Sequence, residues 1–427
     1  MSSWTTSGAL LCLLAAAAAA VLTPNSVFLD KQQASSLISR QKRNVDGSNP
    51  SANVEQVCME KLCTYEEARK LFQDSYRTDI FWAVYVDGDQ CAENPCKNGA
   101  MCSDSVGGYD CVCKSGFTGV HCEQDQTLCP LEKDKGCSQF CKPGYTSYEC
   151  SCAIGWKLSR TDKNKCDPVG RYPCGQVSSQ SQWDNRLASN VRSNFEGLSC
   201  TSTECPWQAL LKNSESQDGY CSGVILKENL VLTSAQCANK YSSFQVVVGR
   251  SDAVRSEVGE RTLYVKLVHV HPRYVADRPE YDVAVIELRD RITFAREVSA
   301  ACVPEKDFAE SILMTGELPT IVTGWKEPSS GSAFEGSLKL NQLAYNRLPQ
   351  CVETHPTLMT NKMGCTTPRA NADCTMSSGS PLLTLYRKVF FLTGVVSRPL
   401  GANCSQGYVF QKVSRYLGWL RPLMGSR

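Results

Sequence analysis

A serine hydroxyl becomes a nucleophile only when a general base takes its proton. Ser378, in Cys374-Thr375-Met376-Ser377-Ser378-Gly379-Ser380-Pro381-Leu382, therefore needs a partner elsewhere in the chain. Gln236, in Val231-Leu232-Thr233-Ser234-Ala235-Gln236-Cys237, offers only an amide, which has no lone pair basic enough for that task near neutral pH. Asp282, in Tyr281-Asp282-Val283-Ala284, offers a carboxylate. The four histidines, His121, His269, His271 and His355, lie outside these segments; His269 and His271 fall in an alternating, strand-like stretch that suits a structural role.

The elements that must position these groups are legible in outline. At 427 residues the chain has room for two to four domains, and a net charge of +2 gives no reason to expect nucleic acid as a partner. It has 25 cysteines; one, Cys12, lies in an apolar run from Ala9 to Leu22 that has the length of a signal-peptide core and is too short to span a bilayer. The remaining even, dense set reads as disulfides formed in an oxidising compartment, with spacings that fit bridges better than metal clusters. The runs Ser222-Gly223-Val224-Ile225-Leu226, Phe244-Gln245-Val246-Val247-Val248 and Phe391-Leu392-Thr393-Gly394-Val395-Val396 predict strands.

The two segments around Gln236 and Ser378 resemble the catalytic motifs of trypsin-like serine proteases, with Gln236 at the histidine position, Asp282 at the aspartate and Ser378 at the serine. The resemblance implies an all-β double barrel over residues 194–427 with a C-terminal helix, for which Val413 to Leu423 is the candidate, held by Cys200 with Cys205, Cys221 with Cys237, Cys351 with Cys365 and Cys374 with Cys404. It also implies that this triad is degenerate. In subtilisin, loss of the base alone costs about a millionfold in turnover, leaving about 10³ to 10⁴ over water. Other parts depart as well. Ser193 stands at the activating cleavage position and Ser377 at the aspartate that would pair with the new N-terminus. Met376 and Ser380 replace glycines, Ala372 the specificity aspartate, and Arg398-Pro399 a Trp-Gly pair.

The first half resembles the light portion of the vitamin K-dependent coagulation proteases. The run 1–22 reads as a signal peptide and 23–43 as a propeptide, in which Phe28 and Ala34 precede the basic tetrad Arg40-Gln41-Lys42-Arg43. Residues 44–86 resemble a Gla domain: Cys58 and Cys63 close its short loop, Tyr65-Glu66-Glu67-Ala68-Arg69 starts a helix, and Phe81-Trp82 with Tyr85 matches its aromatic stack. Glu55, Glu60, Glu66 and Glu67 match acceptor positions for vitamin K-dependent carboxylation, which makes strong ligands for the hard calcium ion. Val57, Lys61, Lys70 and Gln73 stand where acidic residues are usual, and Val45 to Ala52 lacks paired glutamates and large apolar residues. Membrane binding, a small helical spacer and a mispredicted exon all remain open for that segment.

Residues 87–123 have the spacing of an EGF-like module, with Cys91, Cys96, Cys102, Cys111, Cys113 and Cys122; Cys129, Cys137, Cys141, Cys150, Cys152 and Cys166 define a second over 125–167. Family precedent pairs first with third, second with fourth and fifth with sixth. Asp87, the Gly88 carbonyl, Gln90 and Asp104 resemble the calcium ligands of the first module, and Asp104 with Tyr109 fits the pattern of aspartate β-hydroxylation. Residues 168–193 read as a polar linker, in which Cys174 matches the tether to Cys302. Asn403-Cys404-Ser405 is an N-glycosylation sequon. The domain order implies a secreted plasma protein. One non-catalytic member of this family binds a serpin and promotes inhibition of activated factor X on anionic phospholipid with calcium. An adhesive scaffold with no serpin partner, and a residual hydrolase using Ser378, stay open beside it.

Overall fold

The computed structural model describes residues 57–58, 62–130, 135–178, 183, 198–326, 333–334, 336–368, 376–397 and 406–425. They belong to two compact units, one within Met1–Glu93 and Ser103–Asp110, the other within Asn94–Cys102 and Cys111–Arg427.

In the first unit, helix α1 (Tyr65–Phe72) begins at Thr64, whose hydroxyl accepts from Glu67 N while the Glu67 carboxylate takes the Thr64 N–H. This reciprocal pair satisfies donors that a helix start leaves open. Gln73, in the left-handed region at φ 54°, ends α1, and Asp74 caps α2 (Ser75–Asp87) through Arg77 N. The helices meet through rings: Tyr65 lies edge-on to Trp82 at 5.6 Å, Phe72 packs on Phe81 at 5.0 Å, and Phe81 stacks on Tyr85 at 5.2 Å. Tyr85 also accepts the Cys63 N–H, and Cys58 is bridged to Cys63.

Short two-stranded sheets follow: β1 (Met101–Ser105) with β2 (Gly108–Val112), β3 (Phe117–Thr118) with β4 (Gln124–Asp125), β5 (Phe140–Lys142) with β6 (Glu149–Ser151), and β7 (Trp156–Leu158) with β8 (Cys166–Pro168). Such strands bury too little apolar surface to hold themselves, and disulfides do the work. Cys96 is bridged to Cys111, Cys113 to Cys122, Cys129 to Cys141, Cys137 to Cys150, and Cys152 to Cys166; Cys91 and Cys102 are disulfide-bonded too.

The rest of the second unit is two β layers. Strands β10 (Gln208–Asn213), β11 (Gly219–Lys227), β12 (Leu230–Thr233), β13 (Phe244–Val248), β14 (Arg261–Val270) and β15 (Ala284–Leu288) close a barrel in the order β10-β11-β12-β15-β14-β13. Where a second barrel is expected the strands form a seven-stranded sheet made of β9 (Leu198–Ser199), β16 (Thr320–Gly324), β17 (Lys339–Leu343), β18 (Met363–Cys365), β19 (Pro381–Tyr386), β20 (Val389–Val396) and β21 (Val409–Lys412). Trp207 from one half and Phe390 from the other pack at 4.9 Å, both buried. Full burial of such side chains contributes about 1.5–3 kcal/mol each. The closing helix is shorter than expected. A 3₁₀ turn, Val413–Arg415, comes first, and α-helix Leu417–Met424 begins only after Tyr416.

Within the stretch read as a polar linker, Cys174, Val177 and Trp183 are buried in the cores of the second unit, Trp183 against Phe390 at 5.1 Å, and Gly175 exchanges backbone hydrogen bonds with Phe390 and Ala300. Val177 and Trp183 are isolated apolar positions in a polar run, and an average over the run hides them. Disulfide Cys174–Cys302 completes the attachment; Cys200–Cys205, Cys221–Cys237 and Cys351–Cys365 staple the β layers.

Candidate functional site

Strand β12 runs into Ser234, whose side chain accepts from Cys237 N and so caps a one-turn helix, Ala235–Ala238. That turn aims the Gln236 N–H at Asp282 Oδ1, 2.8 Å away, just ahead of β15. Ser397, at the end of β20, donates to Asp282 Oδ2 at 2.6 Å. Asp282 is 5% exposed. Burial raises its carboxyl group above the ordinary range, against the opposing hydrogen bonds from Ser397 and the Gln236 and Ala235 backbone. The Gln236 side chain is exposed, and among the described residues no hydrogen bond joins its amide to Asp282 or Ser378.

Ser378 is 7% exposed, and its carbonyl accepts from Ser222 N at 3.1 Å. The turn beyond it demands glycine: Gly379 has φ +83°, and a Cβ there would lie 2.0 Å from the Ser222 carbonyl oxygen. Ser377 is fully buried, its hydroxyl 2.8 Å from Ser222 Oγ and 3.4 Å from Ser380 Oγ. Ser380 lies so close to β16 that a Cβ on Gly324 would meet its Oγ at 2.1 Å. A neutral, hydrogen-bonded hydroxyl cluster thus occupies the ground under Ser378. Met376 has its side chain in a core cluster with Val322, Tyr345, Leu382 and Phe410. The arrangement among the described residues holds an acceptor, Asp282, and a hydroxyl, Ser378.

His271 stacks on Tyr281 at 4.8 Å and meets Trp419 at 5.0 Å, while His269 faces Glu287 at 3.6 Å and His355 is buried. Among the described residues no hydrogen bond joins any of the three to Ser378 or to Asp282. Ser193, Ala372, Cys374, Arg398, Pro399, Asn403 and Cys404 lie outside the described residues, as do Glu55 and Glu60.

A second candidate site is in the first unit. Asp104 Oδ1 accepts the Gln90 N–H at 2.9 Å, whereas Asp104 Oδ2 and Gln90 Oε1 are buried and without a hydrogen-bond partner. Buried oxygens left open in this way fit a hard cation. The Asp89 carboxylate comes within 4.8 Å of that of Asp104, together with the Cys91 sulfur, which its disulfide removes as a ligand. Asp87, expected as a ligand, uses Oδ2 to accept the Gly107 N–H at 2.5 Å, and its carbonyl takes the Gln90 side-chain amide. Asp89 is the residue that sequence reasoning misses, although it stands between two expected ligands, Gly88 and Gln90. Glu67, expected as a carboxylation site, is the cap of α1, and the Thr64 backbone and hydroxyl hold its carboxyl below the usual range. Thr64-Tyr65-Glu66-Glu67 carries the visible signature of that cap. Glu66 is exposed.

Comparison with known families follows the same order along the chain. Residues 50–86 match the vitamin K-dependent carboxylation/gamma-carboxyglutamic (GLA) domain, 91–121 the EGF-like domain, 131–166 the family described as coagulation factor Xa inhibitory site, and 195–420 trypsin. Among the described residues no helix is long and apolar enough to cross a membrane. With more than half of its length in the trypsin match and the Gla and EGF domains ahead of it in coagulation-factor order, the chain belongs to the trypsin family, in its vitamin K-dependent coagulation branch.

Proposed function

We propose that this chain is a secreted pseudoprotease that acts by binding rather than by cleavage. The observation that carries the reading is a buried Asp282 that Gln236 meets only through its backbone N–H, with the Gln236 side chain exposed. A carboxylate placed to orient a base has no base to orient, and Ser378 keeps its proton. The neutral cluster of Ser222, Ser377 and Ser380 supports the same reading, because it satisfies the buried ground below the serine without an ion pair and so without proteolytic activation.

Within its family the chain resembles protein Z, a non-catalytic member, in Pro206-Trp207-Gln208, His271-Pro272-Arg273-Tyr274, Cys302-Val303-Pro304-Glu305-Lys306-Asp307-Phe308-Ala309-Glu310 and Val413-Ser414-Arg415-Tyr416. The proposed role follows: the protease-like domain holds a serpin, the protein Z-dependent inhibitor, and presents it to activated factor X on anionic phospholipid. The match to the coagulation factor Xa inhibitory site supports a link to that enzyme. Asp104, Gln90 and Asp89 would hold calcium in the first EGF-like module, and carboxylated glutamates among Glu55, Glu60, Glu66 and Glu67 would hold it in the Gla-like domain. Calcium would supply charge and rigidity there, while the protein's oxygens choose its place.

The test is binding of recombinant mature protein to phosphatidylserine vesicles, with calcium or with chelator, in the presence and absence of the serpin. Calcium-dependent recruitment of serpin to vesicles is expected. Absence of binding in all four arms overturns the cofactor role.

A further inference from the structure

Residues 271–283 lead from β14 to β15 around an exposed turn in which two non-glycine residues, Asp277 at φ 68° and Tyr281 at φ 63°, take the left-handed conformation. A bulky residue rarely does so without compensation. At Tyr281 the compensation is visible. Its ring stacks on His271, its phenol oxygen accepts from Arg273 Nη1 at 3.3 Å, and Lys362 Nζ stands 4.9 Å from the ring centroid. Two cations on separate segments therefore lie against one half-buried phenol, Arg273 at its oxygen and Lys362 over its ring. Carboxylates flank it in sequence: Asp277 is exposed and Glu280 half-buried, with Glu280 itself 3.7 Å from Lys362.

We propose that Tyr281 is a site of tyrosine O-sulfation, made on the folded chain by a luminal sulfotransferase that uses a nucleotide phosphosulfate as donor. The proposal rests on the secretory reading above. In the step, the phenol oxygen attacks the donor sulfur. An oxygen–sulfur bond forms, the bond from sulfur to the bridging phosphate oxygen breaks, and the phenolic proton passes to the transferase; sulfur keeps its oxidation state. Three features favour it. Arg273 foremost, and then Lys362, hold the phenol below its ordinary range, which increases its share of nucleophile. An enzyme that binds a polyanionic donor presents a basic cleft, and Asp277 and Glu280 complement one. The product is a permanent monoanion whose oxygens would face a guanidinium and an ammonium already in position, which suits charge-assisted hydrogen bonds.

The experiment is peptide mass spectrometry on full-length protein secreted by sulfotransferase-competent cells, grown with and without chlorate, which depletes the donor. The peptide containing Tyr281 is expected to gain the mass of one sulfuryl group. That increment should resist phosphatase, disappear after mild acid and chlorate, and be lost in Tyr281→Phe. Secreted, disulfide-bonded protein with an unmodified or phosphatase-sensitive Tyr281 overturns the modification alone. Retention of a reduced chain in the cytosol sinks the secretory reading and the modification with it.

Discussion

At the scale of single residues, the Asp282 carboxyl group is buried and meets Gln236 only through that residue's backbone N–H. Three donors still surround the carboxylate, yet burial dominates and raises its protonation point. The neutral form is therefore favoured more in the folded than in the unfolded state. Stability linked to it is fully present below the ordinary carboxylate range and declines as pH rises through the raised value. Asp282→Asn removes that dependence. Its stability relative to the parent should grow between acid and neutral pH, as followed by urea unfolding at several pH values. A constant difference would show that ionisation of Asp282 costs the fold nothing.

At the scale of elements, the β layers impose rules that act across long stretches of sequence. Ser222 on β11 and Ser377 before β19 are 155 residues apart yet share a 2.8 Å hydrogen bond in a fully buried site. Ser377→Asp would place a carboxylate there without a paired cation. Breaking the balance of a buried charge costs about 3–5 kcal/mol, so the variant should lose stability on that scale in denaturant melts. Unchanged stability would mean that a cation reaches the site. Strands such as Phe244–Val248 are legible because a β-branched run and its ends are local features. The Ser222–Ser377 contact is not, since no local pattern pairs two serines so far apart. Trp183 escapes for a different reason. Its neighbours are polar, and only the partner ring of Phe390 reveals that it is core.

At the scale of the molecule, the second EGF-like module is part of the protease-like body. Phe140 packs against Phe308 and Phe391 at 5.3 and 5.8 Å, and Arg387, at a turn where it and Lys388 both have positive φ, donates to the carbonyls of Cys137 and Lys135. Phe140→Ala should cost about 3–5 kcal/mol, as truncation of a buried aromatic does, and expose the module to limited proteolysis before the β layers unfold. Simultaneous cleavage and unfolding would contradict that order. This packing is half legible in the chain: the cysteine spacing announces the module, but nothing in that spacing points to Phe140. The oxygens proposed for calcium are more legible because they lie close in sequence. Even so, Asp89 enters only when the fold brings it toward Asp104.

The most direct measurement of the central claim is hydrolysis of an arginine peptide ester by the purified mature protein beside its Ser378→Ala variant. Identical background rates from the two proteins are predicted, because Gln236 cannot take the serine proton. Turnover that exceeds background and vanishes in Ser378→Ala would contradict the account.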